Sequence, residues 1–227
     1  DGVIHLSHAS VADAAFDHLQ HLPQGIVLHP HYRRDDVFVH KGVATPVTRV
    51  AFIGGFSPRK PALDLIRSML EKTTLKVVVT GTPPSRALRR EFRARSDGRL
   101  VVAPDPVADA DLAAIFDGRT AAVLTDEKQL NSGVALFALS HGGPVIAPDT
   151  ASNEELAAEF GPEWVRLAPG APTVGDVITL AKEPVPRSYP DMRRRSPERC
   201  GQQLLDYLTM FGTRATSASE GQHSTGQ

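Results

Sequence analysis

NSGVALFALSHGGPVIAPD, residues 131–149, begins with the features of a helix N-terminus. Asn131 and Ser132 stand immediately before an apolar run, where N-cap residues are usual. Gly133 places no side chain above the first backbone N–H groups. A helix N-terminus with free donors and a partial positive charge binds anions, so this stretch predicts a phosphate-bearing ligand.

The remainder of the stretch predicts a short helix, a turn and a strand. Val134–Ser140 supplies about two helical turns of small and apolar residues, residues 142–144 (Gly-Gly-Pro) break them, and Val145–Ala147 is apolar throughout. This order of helix and strand is the unit that the neighbouring sequence repeats.

The same alternation fills residues 48 to 170. Short apolar strands alternate there with short helices, and this pattern indicates βαβ units around a parallel sheet. We therefore predict an α/β fold, a Rossmann-like parallel sheet flanked by helices. The predicted strands are RVAFIGG (49–55), LKVVVTG (75–81), RLVVAP (99–104), TAAVLT (120–125), PVIAP (144–148) and WVRLAP (164–169). The predicted helices lie at 61–71, 85–95, 109–116, 134–140 and 153–159, with a further one at 173–181.

Both ends of the chain depart from this pattern. A strand at 3–7, a helix at 10–22 capped by Ser10 and a strand at 25–28 predict the remnant of a second domain. Near the other end, 198–211 predicts an amphipathic helix, and the polar residues after it predict a disordered tail. The predicted divisions are 1–32 (end of the second domain), 33–47 (linker), 48–185 (sheet domain), 186–211 (C-terminal helix) and 212–227 (tail).

Charge, cysteine content and hydropathy exclude several classes of protein. The formal net charge is −1, so no global basic field recruits nucleic acid. The single cysteine, Cys200, excludes a disulfide framework, fits a reducing compartment and indicates a cytoplasmic protein. No apolar run approaches the ~20 residues of a transmembrane helix, and no signal peptide is visible. The start at Asp1 indicates a piece of a longer protein.

The loop after the first strand of the sheet is a candidate phosphate site, because ligands of open parallel sheets bind beyond the carboxyl ends of strands. Gly54 and Gly55 end that strand, and Arg59 and Lys60 follow just before a helix. Arginine binds a diphosphate through a forked contact and lysine acts as a point charge. The alternative is a glycine turn with solvated cations. GxGxxG and GxxxxGK[ST] are both absent, which argues against a dinucleotide fingerprint and a P-loop.

The next loops supply further candidates for nucleotide contacts. Thr80 and Gly81 follow the second strand, either near a base or ribose or in an ordinary turn. Asp105 and Val107 follow the third strand, where a backbone edge can read a nucleobase. Asp109 is expected to cap the helix after them.

The histidines and loop carboxylates give no metal signature. His29 and His31 flank a proline at a strand end, where one of them is a candidate ligand contact, and His141 is expected to be a helix C-terminal cation. Asp126 and Glu127 are expected to be solvated loop residues. No HExxH or CxxC spacing occurs, so no metal site is predicted.

The order of these parts resembles the C-terminal half of a GT-B glycosyltransferase of the retaining family-4 type (glycosyltransferase group 1). FIGGFSPRK (52–60) is similar to that family's G-R-x-x-x-x-K phosphate loop, and VVAPDPVADADLAAIF (101–116) to its V-x-F-x-G-x-V-x-x-x-x-L-x-x-x-Y segment. The opening stretch is similar to its E-G-F-G-x-x-x-x-E-A-M-A-x-G-x-P-V-I-A block. The helix at 198–211 resembles the one that crosses back to brace the N-terminal domain. The resemblance covers roughly residues 1 to 211.

Two positions depart from the family pattern. Alignment puts Gln129 at the first glutamate of the family's E-x7-E pair and Phe137 at the second. In the family, the first glutamate is linked to the donor sugar and the second to the ribose hydroxyls. Gln129 can hydrogen-bond a sugar hydroxyl without carrying charge, whereas Phe137 can do neither. Ribose recognition then falls to other groups or is absent.

The resemblance implies a retaining transfer of sugar from a UDP- or GDP-sugar, in polysaccharide or glycoconjugate synthesis, with no tightly bound cofactor. Arg59, Lys60 and Gln129 are the implied catalytic residues, and the two cations would stabilise charge on the leaving diphosphate. Ser132 and Gly133 would bind that diphosphate through backbone N–H groups, with Asn131 beside them.

A missing N-terminal domain of the same protein is the other partner that the resemblance implies. It would hold the acceptor and supply any peripheral contact with the inner face of the membrane. We therefore expect this chain alone to be inactive. Two alternatives stay open: a non-catalytic nucleotide-sugar-binding or interaction domain, and a GT-B-like sugar-nucleotide 2-epimerase.

Overall fold

The structure, a computed structural model, divides the chain into two compact units. One unit combines Asp1–His31 with Met192–Gln227, and the other is Tyr32–Asp191. The structure describes residues 2–32, 46–54, 61–80, 85–95, 98–103, 107–116, 118–128, 133–186 and 188–220.

Strands and helices alternate along most of the described chain. The strands are β1 (Val3–His5), β2 (Gln24–Ile26), β3 (Arg49–Ile53), β4 (Lys76–Thr80), β5 (Leu100–Val102), β6 (Thr120–Val123), β7 (Val145–Pro148) and β8 (Val165–Ala168). The helices are α1 (Pro61–Lys72), α2 (Arg86–Arg95), α3 (Asp109–Ile115), α4 (Gly133–Ser140), α5 (Ala151–Phe160), α6 (Val174–Lys182) and α7 (Pro197–Glu220). None of these helices is both long and apolar enough to cross a membrane.

The unit Tyr32–Asp191 is built on a six-stranded sheet in the order β5-β4-β3-β6-β7-β8. Every neighbouring pair of strands in it is parallel. The strand order therefore reverses between β3 and β6, as in the doubly wound Rossmann arrangement. The predicted α/β fold with a Rossmann-like parallel sheet is confirmed.

The centre of this unit is α4 and the strands beside it. β6 and β7 are buried at every residue, and α4 buries five of its eight. α4 is apolar on all sides, which is the composition of a helix enclosed by its neighbours rather than one lying on the surface. The chain can bring it so close to β6 and β7 because Gly143 follows it: a Cβ there would lie 3.0 Å from the carbonyl oxygen of Thr120 and would overlap the ring of Phe116.

The predicted linker, residues 33–47, lies largely outside the described residues. Its last two residues belong to the packed sheet unit. Pro46 forms an isolated antiparallel bridge with Pro184, and Val47 is buried.

The other unit contains a two-stranded parallel sheet, β1 and β2, and the helix α7. The Tyr207 hydroxyl of α7 lies 2.9 Å from the carbonyl oxygen of Val3 and 3.1 Å from that of Pro23. Cys200 is buried with Val27 and Leu28, so it packs a core, as its position in the predicted helix indicates.

Two sequence predictions for this unit are wrong. The predicted helix at 10–22 is replaced by two 3-10 helices, Ala9–Ala12 and Ala14–Leu19. Asp13 separates them in an extended conformation, because its carboxylate accepts a hydrogen bond from the N–H of Ala15 and so competes with a continuous helix.

The predicted tail is also misplaced at its start, because α7 continues to Glu220. Extending an existing helix adds one hydrogen bond for each residue that is ordered, and no proline interrupts the Ala-, Ser- and Thr-containing sequence after Phe211. Residues 221–227 of the predicted tail lie outside the described residues.

Gly143→Ala tests the close approach of α4 to the sheet. We expect the free energy of unfolding to fall by about 1–3 kcal/mol, since the added methyl overlaps Phe116 and the Thr120 backbone. Urea unfolding monitored by circular dichroism measures this change. Gly175→Ala in α6 is the matched control, because the nearest atom to its Cβ would be Thr173 Oγ1 at 3.6 Å. Equal effects of the two substitutions would contradict the packing argument.

Candidate functional site

The reversal of strand order between β3 and β6 defines a crevice at the carboxyl ends of these strands. Gly54 follows β3 directly, and its N–H donates to the carbonyl oxygen of Thr80 at the end of β4, at 3.0 Å. The backbone φ of Gly54 is +119°, a value that residues with a side chain rarely adopt, so glycine is favoured at this position. The structure thus brings two of the predicted site residues together at one edge of the sheet.

Tyr32 occupies the N-terminal end of α4 and was missed in the sequence analysis. A Cβ on Gly133, the first residue of the helix, would lie 3.2 Å from the Tyr32 hydroxyl. The Tyr32 backbone is attached at the other end of the same helix, where its N–H donates to Ser140 Oγ at 3.0 Å. Ser140 Oγ in turn donates to the carbonyl oxygen of Leu136 at 2.6 Å. Gly133 therefore leaves room for the Tyr32 hydroxyl at the first residue of α4.

Phe137 forms the middle of an aromatic cluster on α4. Its ring centroid lies 5.5 Å from that of Tyr32, 6.1 Å from that of Phe116 and 4.3 Å from the stacked ring of His141. The position at which the family carries its second glutamate is thus filled by a packing residue. The cluster holds the Tyr32 ring along the helix.

Partial burial also affects the Tyr32 hydroxyl. Desolvation raises the pKa of Tyr32 above its usual value near 10, because the phenolate would lose hydration. The hydroxyl therefore remains a hydrogen-bond donor at neutral pH. A neutral donor beside a helix N-terminus is suited to a phosphate or a sugar oxygen.

His141 is not the helix C-terminal cation that the sequence predicts. The side chain is buried, and this desolvation lowers its pKa below 6.5, although its hydrogen bond to the Phe137 carbonyl acts in the opposite direction. His141 Nδ1 donates to that carbonyl oxygen at 2.8 Å. A neutral imidazole can do this while it stacks on the Phe137 ring, so His141 caps α4 without carrying a charge.

Two carboxylates connect loops at the same edge of the sheet. Glu127, after β6, accepts a hydrogen bond from the N–H of Ala171 at 2.9 Å, and Asp149, after β7, accepts one from Gly170 at 3.0 Å. Glu127 is thus a structural link rather than a merely solvated loop residue. The side chain of Asp126 accepts a hydrogen bond from the N–H of Lys128, two residues later in the same loop.

The remaining predicted site residues divide into two groups. Val107 is half-buried just before α3, and Ala108 rather than Asp109 is the N-cap of that helix, so the predicted Asp109 cap is wrong. Asp109 is the first residue of the helix, and an N-cap residue by definition precedes it. Eight candidates lie outside the described residues: Gly55, Arg59, Lys60, Gly81, Asp105, Gln129, Asn131 and Ser132. Among the described side chains, no three His, Cys, Asp or Glu residues form a possible metal cluster.

Solved structures show which class of protein has this fold. Anabaena HepE, solved with UDP and glucose, matches 92% of this chain and 63% of its own length at a TM-score of 0.64 and 16% identity. TarM matches 92% of this chain and 43% of its own length at a TM-score of 0.59 and 13% identity. The chain has the GT-B glycosyltransferase fold, as the sequence resemblance implies.

Two curated proteins are similar to this chain in sequence. Two proteins of Xanthomonas campestris pv. campestris, both named GDP-mannose:glycolipid 4-beta-D-mannosyltransferase, are 30% identical over 190 residues and 29% identical over 191 residues. Each match covers 81% of this chain and 54% of the relative, so the chain spans about half the length of the curated relatives it matches. No family model matches the sequence.

The buried state of His141 predicts a pH dependence of stability. Its pKa is lower in the folded chain than the value near 6.5 of an unfolded chain, so the unfolded state binds more protons between the two values. The neutral His141 side chain therefore makes its full contribution to the free energy of unfolding above about pH 6.5. This contribution declines as the pH falls towards the pKa of His141 in the folded chain. Urea unfolding at about pH 7.5 and about pH 5.5 measures it.

His141→Gln is expected to lower the free energy of unfolding at both pH values and to reduce the difference between them. His18→Gln, at an exposed histidine, is the control and should keep the wild-type difference. An undiminished pH dependence in His141→Gln would show that another group is responsible.

Proposed function

We propose that this chain is the donor-binding half of a glycosyltransferase that uses a nucleoside-diphosphate sugar. The observation that carries the proposal is the carboxyl edge of the sheet, where Gly54 after β3 meets Thr80 at the end of β4 and the Tyr32 hydroxyl lies beside the first residue of α4. Strand-end loops and a helix N-terminus at a switch point form the usual site for a diphosphate in this class of sheet.

The comparisons support a particular donor and acceptor for the first experiments. The curated relatives are named for GDP-mannose and a glycolipid, and the Anabaena structure is described as a complex with UDP and glucose. We propose GDP-mannose as the donor and a lipid-linked sugar as the acceptor. The reaction would then take place at the cytoplasmic face of a membrane.

The proposed chemistry breaks the bond between the sugar C1 and the diphosphate oxygen and forms a bond from C1 to an acceptor hydroxyl oxygen. The proton of that hydroxyl passes to the departing diphosphate. Negative charge develops on the diphosphate as it leaves, and Arg59, Lys60 and the N–H groups at Ser132 and Gly133 are proposed to stabilise it. Gln129 is proposed to hydrogen-bond a hydroxyl of the sugar. The relatives are named for a β-linked product, so the anomeric configuration of the product, measured by NMR, will decide whether the predicted retention holds.

The aromatic cluster gives Tyr32 a proposed role in donor binding. Phe137 offers no carboxylate to a ribose, and its ring instead supports that of Tyr32. The Tyr32 hydroxyl is then a donor next to the helix N-terminus, where a phosphate or sugar oxygen would lie. We propose that it contributes recognition that a glutamate provides in the family pattern.

An acceptor-binding half is the proposed partner of this chain, since the curated relatives are about twice as long as the matched part. In the unit that contains α7, three leucines are exposed on one face of that helix: Leu204, Leu205 and Leu208. An apolar helix face of this kind suits packing against another domain. Turnover of GDP-mannose with a lipid-linked acceptor by the 227-residue chain alone would contradict this division of labour.

A second candidate function is a nucleotide-sugar-binding domain without catalysis. The observation that favours it is Phe137, which cannot act as a carboxylate and is committed to packing with three other rings. Donor binding without sugar transfer, in a protein that includes both halves, would favour this candidate. A 2-epimerase would instead be recognised by a change of configuration at the sugar C2, without any acceptor.

Arg59→Ala/Lys60→Ala tests the proposed diphosphate site. We expect the wild-type chain to bind GDP, and we expect the double variant to lose at least about 100-fold in affinity, because two charge-assisted contacts are removed. Isothermal titration calorimetry with GDP, UDP and GDP-mannose measures the affinity and the base preference. Arg194→Ala/Arg199→Ala removes two exposed cations elsewhere and should bind GDP like the wild type. Unchanged binding by the Arg59/Lys60 variant would refute the assignment.

Tyr32→Phe tests the hydroxyl separately from the ring. The affinity for GDP-mannose should fall about 2- to 10-fold, which is the range for one lost hydrogen bond, while the melting temperature stays close to that of the wild type. Tyr32→Ala should lower both quantities, because the ring that packs on Phe137 is lost as well. If Tyr32→Phe binds donor as tightly as the wild type, the hydroxyl has no part in recognition.

A further inference from the structure

The helix α2 has the highest net positive charge of the α-helices in a chain whose net charge is −1. Its sequence, RALRREFRAR, holds five arginines and one glutamate in ten residues. None of these arginines is among the residues assigned to the proposed donor site. A charge concentration of this kind is a long-range attraction for an anionic surface.

Four of the arginines recur at the spacing i, i+3, i+4 and i+7, which places their positions on one side of a helix: Arg86, Arg89, Arg90 and Arg93. The side chains of Arg86 and Arg90 are exposed. Leu88 and Glu91 fall on the opposite side by the same periodicity, and both are partly buried. Among the described side chains, those of Arg86 and Arg90 are therefore exposed on the side of α2 opposite Leu88 and Glu91. We call this side of the helix the arginine face.

The single acidic residue of α2 does not neutralise this face. Glu91 accepts two hydrogen bonds from Arg67 of α1, from Nε at 2.8 Å and from Nη2 at 3.1 Å. The hydrogen bonds to Glu91 raise the pKa of Arg67 above its usual value, so Arg67 stays charged. Arg67 also donates to Asp64 at 3.0 Å. The carboxylate of α2 is thus occupied by a cation from another helix on its packed side.

An exposed apolar residue lies on the strand that α2 packs against. β5 is the terminal strand of the sheet, and half of the Val101 surface is accessible to solvent. Exposed arginines are attracted to anionic headgroups, whereas the opposite side of α2 is packed against the protein and is not available for insertion into lipid. Two exposed lysines, Lys72 and Lys76, add charge near the start of the neighbouring strand β4.

We propose that the arginine face of α2 binds the anionic phospholipid surface of a membrane. The choice of a lipid rests on the proposed function, in which the acceptor is lipid-linked. Electrostatic contact through α2 brings the donor-binding half itself to the membrane, in addition to whatever contact the acceptor-binding half makes. Because the interaction is electrostatic, it weakens as salt is added.

Vesicle sedimentation tests the proposal with the 227-residue chain. We expect it to bind vesicles of phosphatidylglycerol and phosphatidylcholine in equal parts and not vesicles of phosphatidylcholine alone. Arg86→Gln/Arg90→Gln should weaken this binding about 25-fold, since each basic residue contributes roughly fivefold near an anionic surface. Neither substitution should weaken the helix, because the helix propensity of glutamine is similar to that of arginine. At Arg86 the change also removes a positive charge from the helix N-terminus, where the helix dipole makes a cation unfavourable.

Arg194→Gln/Arg199→Gln is the matched control, with the same change in net charge at two exposed positions outside α2. Its affinity for the vesicles should change less than about twofold. Equal losses in the two variants, or no binding of the wild type to anionic vesicles, would overturn the proposal. Tighter arginine-dependent binding to single-stranded DNA than to the vesicles would also overturn it and assign the face to nucleic acid.

Calorimetry with GDP on the same proteins separates this proposal from the donor site. The α2 variant should bind GDP like the wild type while it loses the vesicles. If the wild type binds anionic vesicles through α2 but binds no nucleotide, the membrane surface is supported and the donor site fails. If it binds GDP but no vesicles, the donor site is supported and the membrane surface fails.

Discussion

The packing of α4 against β6 and β7 is the constraint on which the site depends. α4 lies in the interior because its residues are apolar on all sides, and Gly143 lets the chain turn from the helix into β7 beside Phe116 and the Thr120 backbone. This enclosure places the N-terminal end of α4 at the reversal of strand order. The same burial lowers the pKa of His141, so the helix ends on a neutral cap. Fold and site therefore have a common physical origin.

The cluster around Phe137 shows how this chain departs from the family pattern. A position that carries a charged carboxylate in the pattern carries here a ring in contact with three other rings. A partly buried ring that packs on three other rings cannot also supply a ribose-binding carboxylate. In the proposal, recognition moves to Tyr32, whose hydroxyl lies beside the first residue of α4. The change affects which groups contact the donor and leaves the helix N-terminus in place.

The periodicity of apolar residues predicted the sheet and its helices closely. Two examples are the strands Arg49–Ile53, which glycine follows, and Val145–Pro148, which ends in proline. The observed bounds of these strands differ from the predicted bounds by one or two residues at one end. Predictions failed where one side chain competes with the backbone, as at Asp13, or where helix propagation outweighs composition, as after Phe211. The mistaken cap at Asp109 is a shift of one residue, and helix ends are specified by few local interactions.

The sequence alone determined the order of strands and helices, the α/β class and the local signals at strand ends and helix starts. These depend on residues a few positions apart, whose spacing is visible in the chain. The tertiary structure decided that Tyr32 lies along α4, since its backbone reaches Ser140 across 108 positions of sequence. It also decided that His141 is neutral and that Glu127 joins two loops, because burial and long-range hydrogen bonds arise when the chain is packed.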